Sequence, residues 1–244
     1  MYRFGKHPPK NDYRTLRLGT YLTDKLAPPP PKYDDLVQVY KNLKVNNPAV
    51  LFPMDGNDAV GDCTIAGVAH AITVWQGKIK KKDIPSASDV LKLYYHLTGG
   101  PDTGLNELDV LNYWRSNGAL GEKILAFAKV NVKNQKHIKS AICLFGGVYL
   151  GFQVQQDCIQ DFNAHKPWTP GPLTNEGHCV VAVGYDEKEV TVLTWGNTQQ
   201  GTWAWWDECV DEAYAILPSE AKAADFDPGF KFAQLKADLE AVAW

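Results

Sequence analysis

The chain has 244 residues, 45% of them hydrophobic and 22% charged, with a net charge of -3 at pH 7. These totals fit one large domain, or two closely packed lobes, with a substantial core; they exclude a disordered chain and a basic nucleic-acid-binding surface. No apolar stretch approaches the ~18 residues of a membrane span, so neither nucleic acid nor membrane is an expected partner. The KIKKK run at 78–82 meets Asp83 at once and reads as a solvated helix end. The polar start MYRFGKHPPKNDYRT does not resemble a secretory signal, so the expected location is cytoplasmic, or inside an assembled particle such as a virion.

In chain order, the first 56 residues carry PPPPK at 28–32 and further prolines at Pro8, Pro9, Pro48 and Pro53. Proline removes backbone donors and disfavours helix in the residue before it, so 1–56 reads as an extended arm lying across a body, with a short helix at about 33–43. The rest, 57–244, reads as one domain. From Thr64 the positions Ile65, Val68, Ala69, Ile72 and Trp75 recur at helical spacing until Gly77. A second helix is expected at about 88–97. A third follows the TGGPDTG loop, from Asn106 to the stop at Asn117-Gly118. With a fourth at 137–144, these make a helical half at about 57–145.

The texture then turns to β, at about 146–217. VYLGFQV reads as a strand, HCVVAVGY at 178–185 as a buried strand, DEKE as a polar turn and VTVLTWG as the returning strand, with a third strand at 201–206. From Asp207 the chain is expected to be mostly helical, and the tail at 218–244 ends in an amphipathic helix with Phe232, Leu235, Leu239 and Val242. The tryptophans of TWAWWDE at 202–208 read as core rather than interface.

Five scattered cysteines, Cys63, Cys143, Cys158, Cys179 and Cys209, make no disulfide framework and are expected to be reduced. None pairs at C-x-x-C spacing, and His178-Cys179 on a strand would point to opposite sides, so neither a metal nor another cofactor is expected. Cys63 is the exception in placement. In GNDAVGDCTIAG it lies between a Gly/Asp turn and the start of an apolar helix, where unpaired N–H groups and the helix dipole favour a thiolate. Its own N–H is free to help hold an oxyanion, and Asn57, six residues upstream, has an amide able to supply a second donor. A thiol nucleophile needs a base from elsewhere in the fold. Of six histidines, His178 is the best placed, because it follows the flexible GPLTNEG segment and opens a buried strand. His70 fits a satisfied core or surface role better.

The order of GNDAVGDC, a helical half, GGVYLGFQV and EGHCVVAVGYDEKEVTVLTWG resembles the papain-like cysteine peptidases over roughly 28–217. That family has a Gln-Gly-x-Cys-Gly-x-Cys-Trp turn, a His-Ala-Val-x-x-Val-Gly-Tyr strand and an Asn-Ser-Trp-Gly strand end. HCVVAVGY carries the likeness most strongly, since the His, the valines and the Gly-Tyr fall in step. The resemblance implies an α+β, two-lobed fold in which a central Cys-bearing helix of a helical lobe packs on an antiparallel sheet or barrel. It implies that Cys63 is the nucleophile, His178 the base and Asn57 the counterpart of the oxyanion-hole glutamine. Trp195, with Gly196, matches the indole that shields the histidine. Gly99, Gly100 or Gly104 matches the glycine that pairs with substrate backbone.

The sequence departs from the family where the orienting asparagine belongs, which falls on Leu193 or on Thr194 depending on the register. Of the two, Thr194 is able to bond His178. Thr64 replaces the tryptophan after the nucleophile, and no long inhibitory propeptide precedes the body; the whole suggests a divergent bacterial or phage-borne member. The leading expectation is hydrolysis of a peptide or amide bond in a peptide or protein substrate. Acyl transfer to an amine, and a binding or structural protein on an inactive scaffold, are the alternatives. Oligomeric state is left open.

Overall fold

A computed structural model describes residues 2–81 and 83–242. Lys82, the end of the basic run, and residues 243–244 of the expected tail lie outside the described residues. In chain order the elements are β1 (Tyr33–Asp34), α1 (Leu36–Leu43), α2 (Pro48–Leu51), α3 (Cys63–Lys78), α4 (Ala87–Thr98), α5 (Glu107–Asn117), β2 (Ile124–Lys129), α6 (Gln135–Phe145), β3 (Val148–Gln155), α7 (Cys158–Asn163), β4 (Leu173–Tyr185), β5 (Glu189–Thr194), β6 (Asn197–Thr202), α8 (Trp203–Cys209), β7 (Val210–Pro218) and α9 (Phe232–Ala241).

The apolar run in β4 sends successive side chains to opposite faces of a sheet, and both faces are covered. Val180 and Ala182 join one core with α6 and α8, while Cys179, Val181 and Val183 join a second with α1, α3, α4 and α5. The strands run in the order β2-β7-β3-β4-β5-β6 with β1 added on β4, all antiparallel. This is the expected α+β arrangement of helices against an antiparallel sheet. No helix among the described residues is long and apolar enough to cross a membrane.

Helix α3 lies against the sheet. Every residue in it except Trp75 and Lys78 is buried, so it is apolar all round rather than striped. Its approach depends on Gly67: a Cβ there would lie 2.9 Å from Tyr149 Cε2 and 3.3 Å from Cys179 Sγ. Tyr149 Oη completes the contact by donating to the Thr64 carbonyl at 2.9 Å.

Four expectations need correction. The third strand is β6, which begins at Asn197 rather than 201, because Trp195 and Gly196 both have positive φ (47° and 75°) and form a two-residue hairpin turn pairing Thr194 with Asn197. Residues 203–209 are then helix, with the Thr202 side chain capping Trp205 N–H at 3.1 Å. The chain after Asp207 is not mostly helical: β7 pairs with both β2 and β3, since Ala213, Ala215 and Leu217 fill one core and Tyr214 and Ile216 the other. The span expected to be helical contains β2, and GPLTNEG is partly strand, with Leu173 paired to Gln155. The tryptophans of α8 are core, Trp205 and Trp206 both at 0% exposure.

Because Gly67 sets the spacing of α3 from the sheet, Gly67→Val should lower stability by about 1–3 kcal/mol. The midpoint of urea unfolding measures it, and an unshifted midpoint would contradict the close packing described.

Candidate active site

The turn GNDAVGD delivers Cys63 to the first position of α3, with Asp62 as the preceding cap residue. Cys63 is 1% exposed. All five cysteines are free thiols. The sulfur of Cys63 accepts backbone N–H bonds from Cys179, on β4, and from Gly5, on the N-terminal arm.

His178 stands on β4 beside the β5–β6 hairpin. Its Nε2 is 2.8 Å from Thr194 Oγ1, while Leu193 is buried in the core with α3. Nδ1 is buried without a hydrogen-bond partner. The Trp195 indole stacks on the imidazole at 4.5 Å between centroids and 23° between planes, and Phe152 meets its edge at 5.6 Å. A tryptophan at positive φ is unusual, and here the turn that imposes it also sets the indole over the histidine. Trp195 Nε1 donates to Asn57 Oδ1 at 2.8 Å. Because an indole N–H only donates, this contact fixes which end of the amide is oxygen, and Asn57 Nδ2 donates to the Val60 carbonyl at 3.2 Å.

Cys63, His178, Asn57, Thr194 and Trp195 therefore line one small gap, of about 10 Å³, at the lower limit for a single water. Of the three loop glycines, Gly104 is buried against the arm, where a Cβ would lie 2.3 Å from the Gly5 carbonyl oxygen. Gly99 and Gly100 are exposed, with nothing within 4 Å of that position, and neither lines the gap. His70 is a core residue, its Nε2 3.1 Å from the Pro53 carbonyl and 3.3 Å from Asp55.

The cleft is filled by residues 2–8 of the chain itself. Arg3 N–H donates to Asn57 O at 2.9 Å, Lys6 N–H to Gly177 O at 3.1 Å and His7 N–H to Leu105 O at 2.9 Å, while Leu105 N–H donates to Gly5 O at 2.8 Å. Tyr2 stacks on Trp195 at 4.6 Å, and Phe4 meets the edges of Trp195 and His178. The arm packs backbone on backbone, since a Cβ on Gly5 would lie 1.8 Å from the Gly61 carbonyl oxygen.

Burial dominates the electrostatics. It pushes the Cys63 thiol up to about 12, with Asp62 and Glu107 adding to the rise, and holds the His178 imidazole down at about 3, helped by His70. Between those values both groups are neutral while the arm is seated. The arm's part in the site, and the buried Glu107 and Glu212 beside Lys6, escaped the sequence reading. The alternation in VDEAYAILP does carry a signal for Glu212, which shares an inward face with Tyr214 and Ile216.

Asp62 is also buried, with its carboxyl raised to about 8 by desolvation and by Asp55. The folded chain thus holds a proton there that the unfolded chain releases near the usual carboxylate value, so stability falls as pH rises between about 4 and 8. Asp62→Asn should remove that fall and stabilise the chain by on the order of 2–4 kcal/mol at pH 7.5. Urea unfolding at pH 5 and 7.5 tests this; equal pH dependence in parent and variant would refute it.

No protein-family model and no curated protein matches the chain. Among solved structures it is similar to xylellain, a cysteine protease from Xylella fastidiosa, with a TM-score of 0.67 and 18% identity over 88% of this chain and 96% of that one. The cysteine protease and lectin-like domains of Cwp84, a surface layer associated protein of Clostridium difficile, match at a TM-score of 0.53 and 14% identity, over 91% of this chain and 57% of that one. A cysteine protease of Carica candamarcensis, CMS1MS2, matches at 0.50 and 14%, over 79% and 100%. At such identities the likeness is one of fold. That fold, with its antiparallel sheet against a central cysteine-bearing helix, is the papain-like cysteine protease fold.

Proposed function

We propose that the chain is a thiol hydrolase of peptide bonds, held closed by its own N-terminal arm. The observation that carries this is the state of His178: Nε2 is 2.8 Å from Thr194 Oγ1, Nδ1 is buried without a hydrogen-bond partner, and the residue lines one small gap with Cys63. With Nε2 donating to the threonine hydroxyl, Nδ1 presents a lone pair for the thiol proton.

The reaction follows from that arrangement. Once the arm leaves, Cys63 loses its proton to His178 Nδ1 and its sulfur attacks the peptide carbonyl carbon. The Cys63 N–H and the Asn57 amide hold the oxygen that becomes negative. In the closed chain the Asn57 nitrogen donates to Val60 and the amide also meets the buried Asp62 carboxyl, so a substrate carbonyl would displace one of these contacts. The C–N bond breaks as Nδ1 returns the proton to the amine, leaving a thioester. Water, giving a proton to the same nitrogen, then releases the acid and regenerates the thiol. Trp195 and Gly104 border the substrate path, as both now border the arm.

The sealed cleft also suits a binding role on the same scaffold, and opening it separates the two readings. Gly5→Val forces a side chain against the Gly61 backbone and should release the arm without touching the catalytic groups. In that variant we expect alkylation of Cys63 by iodoacetamide at pH 7.5 to rise at least tenfold over the parent, and a casein-hydrolysing activity that Cys63→Ala abolishes. Faster alkylation with no hydrolysis would leave the binding role, and unchanged alkylation would sink the closed-form account. Added amine diverting the acyl product would mark acyl transfer instead.

Thr194 acts through His178 as a positioning residue. In the Gly5→Val background, Thr194→Val should lower kcat/KM about tenfold and shift its pH profile, with Thr194→Ser restoring both. An unaltered profile in the valine variant would remove that role.

A further inference from the structure

Lys6 follows the residue whose N–H bonds the Cys63 sulfur, and its side chain does not turn outward to water. It is 1% exposed, with Nζ 2.8 Å from both Asp211 carboxylate oxygens and 3.3 Å from Glu212 Oε1. Lysine is among the residues least often buried, and only with a partner.

The fold has made a trough for this side chain. Gly151 on β3 pairs with Glu212 on β7 and with Cys179 on β4. Its missing side chain is where the lysine stem runs: a Cβ there would lie 1.9 Å from Lys6 Cε and 2.6 Å from Glu107 Oε1. Glu107, at the first position of α5, and Glu212 are both 0% exposed, whereas the Asp211 side chain is 32% exposed at the mouth. Tyr214 Oη donates to Glu212 Oε2 at 2.8 Å, which holds that carboxyl in place. Oε1 of Glu212 meets the Lys6 ammonium, and both oxygens of Glu107 are buried, with the Cys179 thiol beside that carboxyl. Burial raises both glutamates above the usual carboxylate range, and Lys6 opposes the rise.

Three carboxyl groups thus face one ammonium in a place where burying acid is costly. Pinning the arm alone does not account for that surplus, because a buried ion pair is a poor stabiliser compared with packed apolar groups. The feature does suit a guest that comes and goes and must be distinguished by its charge, since buried acceptors left empty penalise any apolar substitute.

We propose that the pocket formed by Glu107, Asp211 and Glu212 is a substrate subsite that takes a lysine side chain, with Lys6 standing in it while the chain is closed. The proposal rests on the peptide-hydrolase reading for its occupant. Lys6 is adjacent in the chain to Gly5 at the sulfur, so a lysine bound there lies within two residues of the bond that is cut.

The test uses the full chain carrying Gly5→Val, Lys6→Ala and Cys63→Ala, in which the cleft is open, the pocket vacant and chemistry removed. Calorimetric titration with the peptide Tyr-Arg-Phe-Gly-Lys-His-Pro, the sequence of residues 2–8, is compared with the same peptide bearing norleucine for lysine. We expect the lysine peptide to bind at least tenfold tighter at pH 7, and the advantage to vanish with Asp211→Asn and Glu212→Gln. Equal affinities, or no binding by a variant whose circular dichroism matches the parent, would overturn the subsite. With Cys63 restored, cleavage of a mixed peptide library should enrich lysine within two residues of the cut; cleavage without enrichment overturns it too. Failure of the hydrolase reading looks different, with the lysine preference in binding intact and no peptide cut. Should the triple variant not fold, Lys6→Met in the otherwise native chain removes the ammonium and keeps the stem. It should speed Cys63 alkylation at least tenfold, and an unchanged rate counts against the pocket.

Discussion

Exclusion of water by residues 2–8 is the constraint on which the state of this site depends. A thiol at a helix start beside an imidazole has two options, a neutral pair or a thiolate–imidazolium pair, and the local dielectric chooses between them. With Cys63 pushed up to about 12 and His178 held at about 3, moving the proton costs on the order of 10 kcal/mol before mutual attraction is counted. Attraction between unit charges in contact is worth only about 4 kcal/mol at the effective dielectric of a protein site. The neutral pair wins while the arm is seated. Desolvation is the largest cause of both shifts, so admitting water removes the dominant opposition to the reactive pair.

The same closeness that excludes water comes from backbone meeting backbone. Gly5 lies on Gly61, the Lys6 carbonyl lies on Gly177, and the Gly5 carbonyl lies on Gly104. Side chains at these points would hold the arm away and let solvent reach the sulfur. The anchoring groups lie on either side: Tyr2 and Phe4 cover Trp195 and His178, and Lys6 enters the acidic trough. The arm is thus fixed on both sides of the gap that Cys63 and His178 line, with the Gly5 N–H directed at the Cys63 sulfur.

What the sequence revealed follows from which residues act locally. HCVVAVGY was legible because a strand buried on both faces must be continuously apolar, and Cys63 because helix starts carry turn chemistry. The α8 helix was misread because Trp203, Trp205 and Trp206 look like strand residues, and only the Trp195-Gly196 turn, which ends β5 early, makes room for a helix. Strand β7 was misread because its order comes from partners far away in the chain, β2 and β3. Glu107 sits where an acidic residue ordinarily marks a helix start, so its burial left no trace in the sequence. The seating of the arm depends on contacts between residues about 50 to 205 positions apart in sequence, which no periodicity reports.

Thr194 raises the remaining physical question, how an imidazole is held without an amide beyond it. An amide presents fixed donor and acceptor ends, whereas a hydroxyl both donates and accepts and so leaves the tautomer unspecified. Ring orientation is another matter. The Trp195 stack fixes one face of His178 and Phe152 fixes an edge, and both contacts belong to the body of the protein rather than to the arm. Trp195 is in turn tied to Asn57 through Nε1 and held by a turn with two positive φ angles. Packing by the body would therefore keep the ring aimed without Phe4, leaving the hydroxyl only the proton's position to bias. A site arranged this way fixes the geometry of its ring by packing and gives up control chiefly over which nitrogen is protonated.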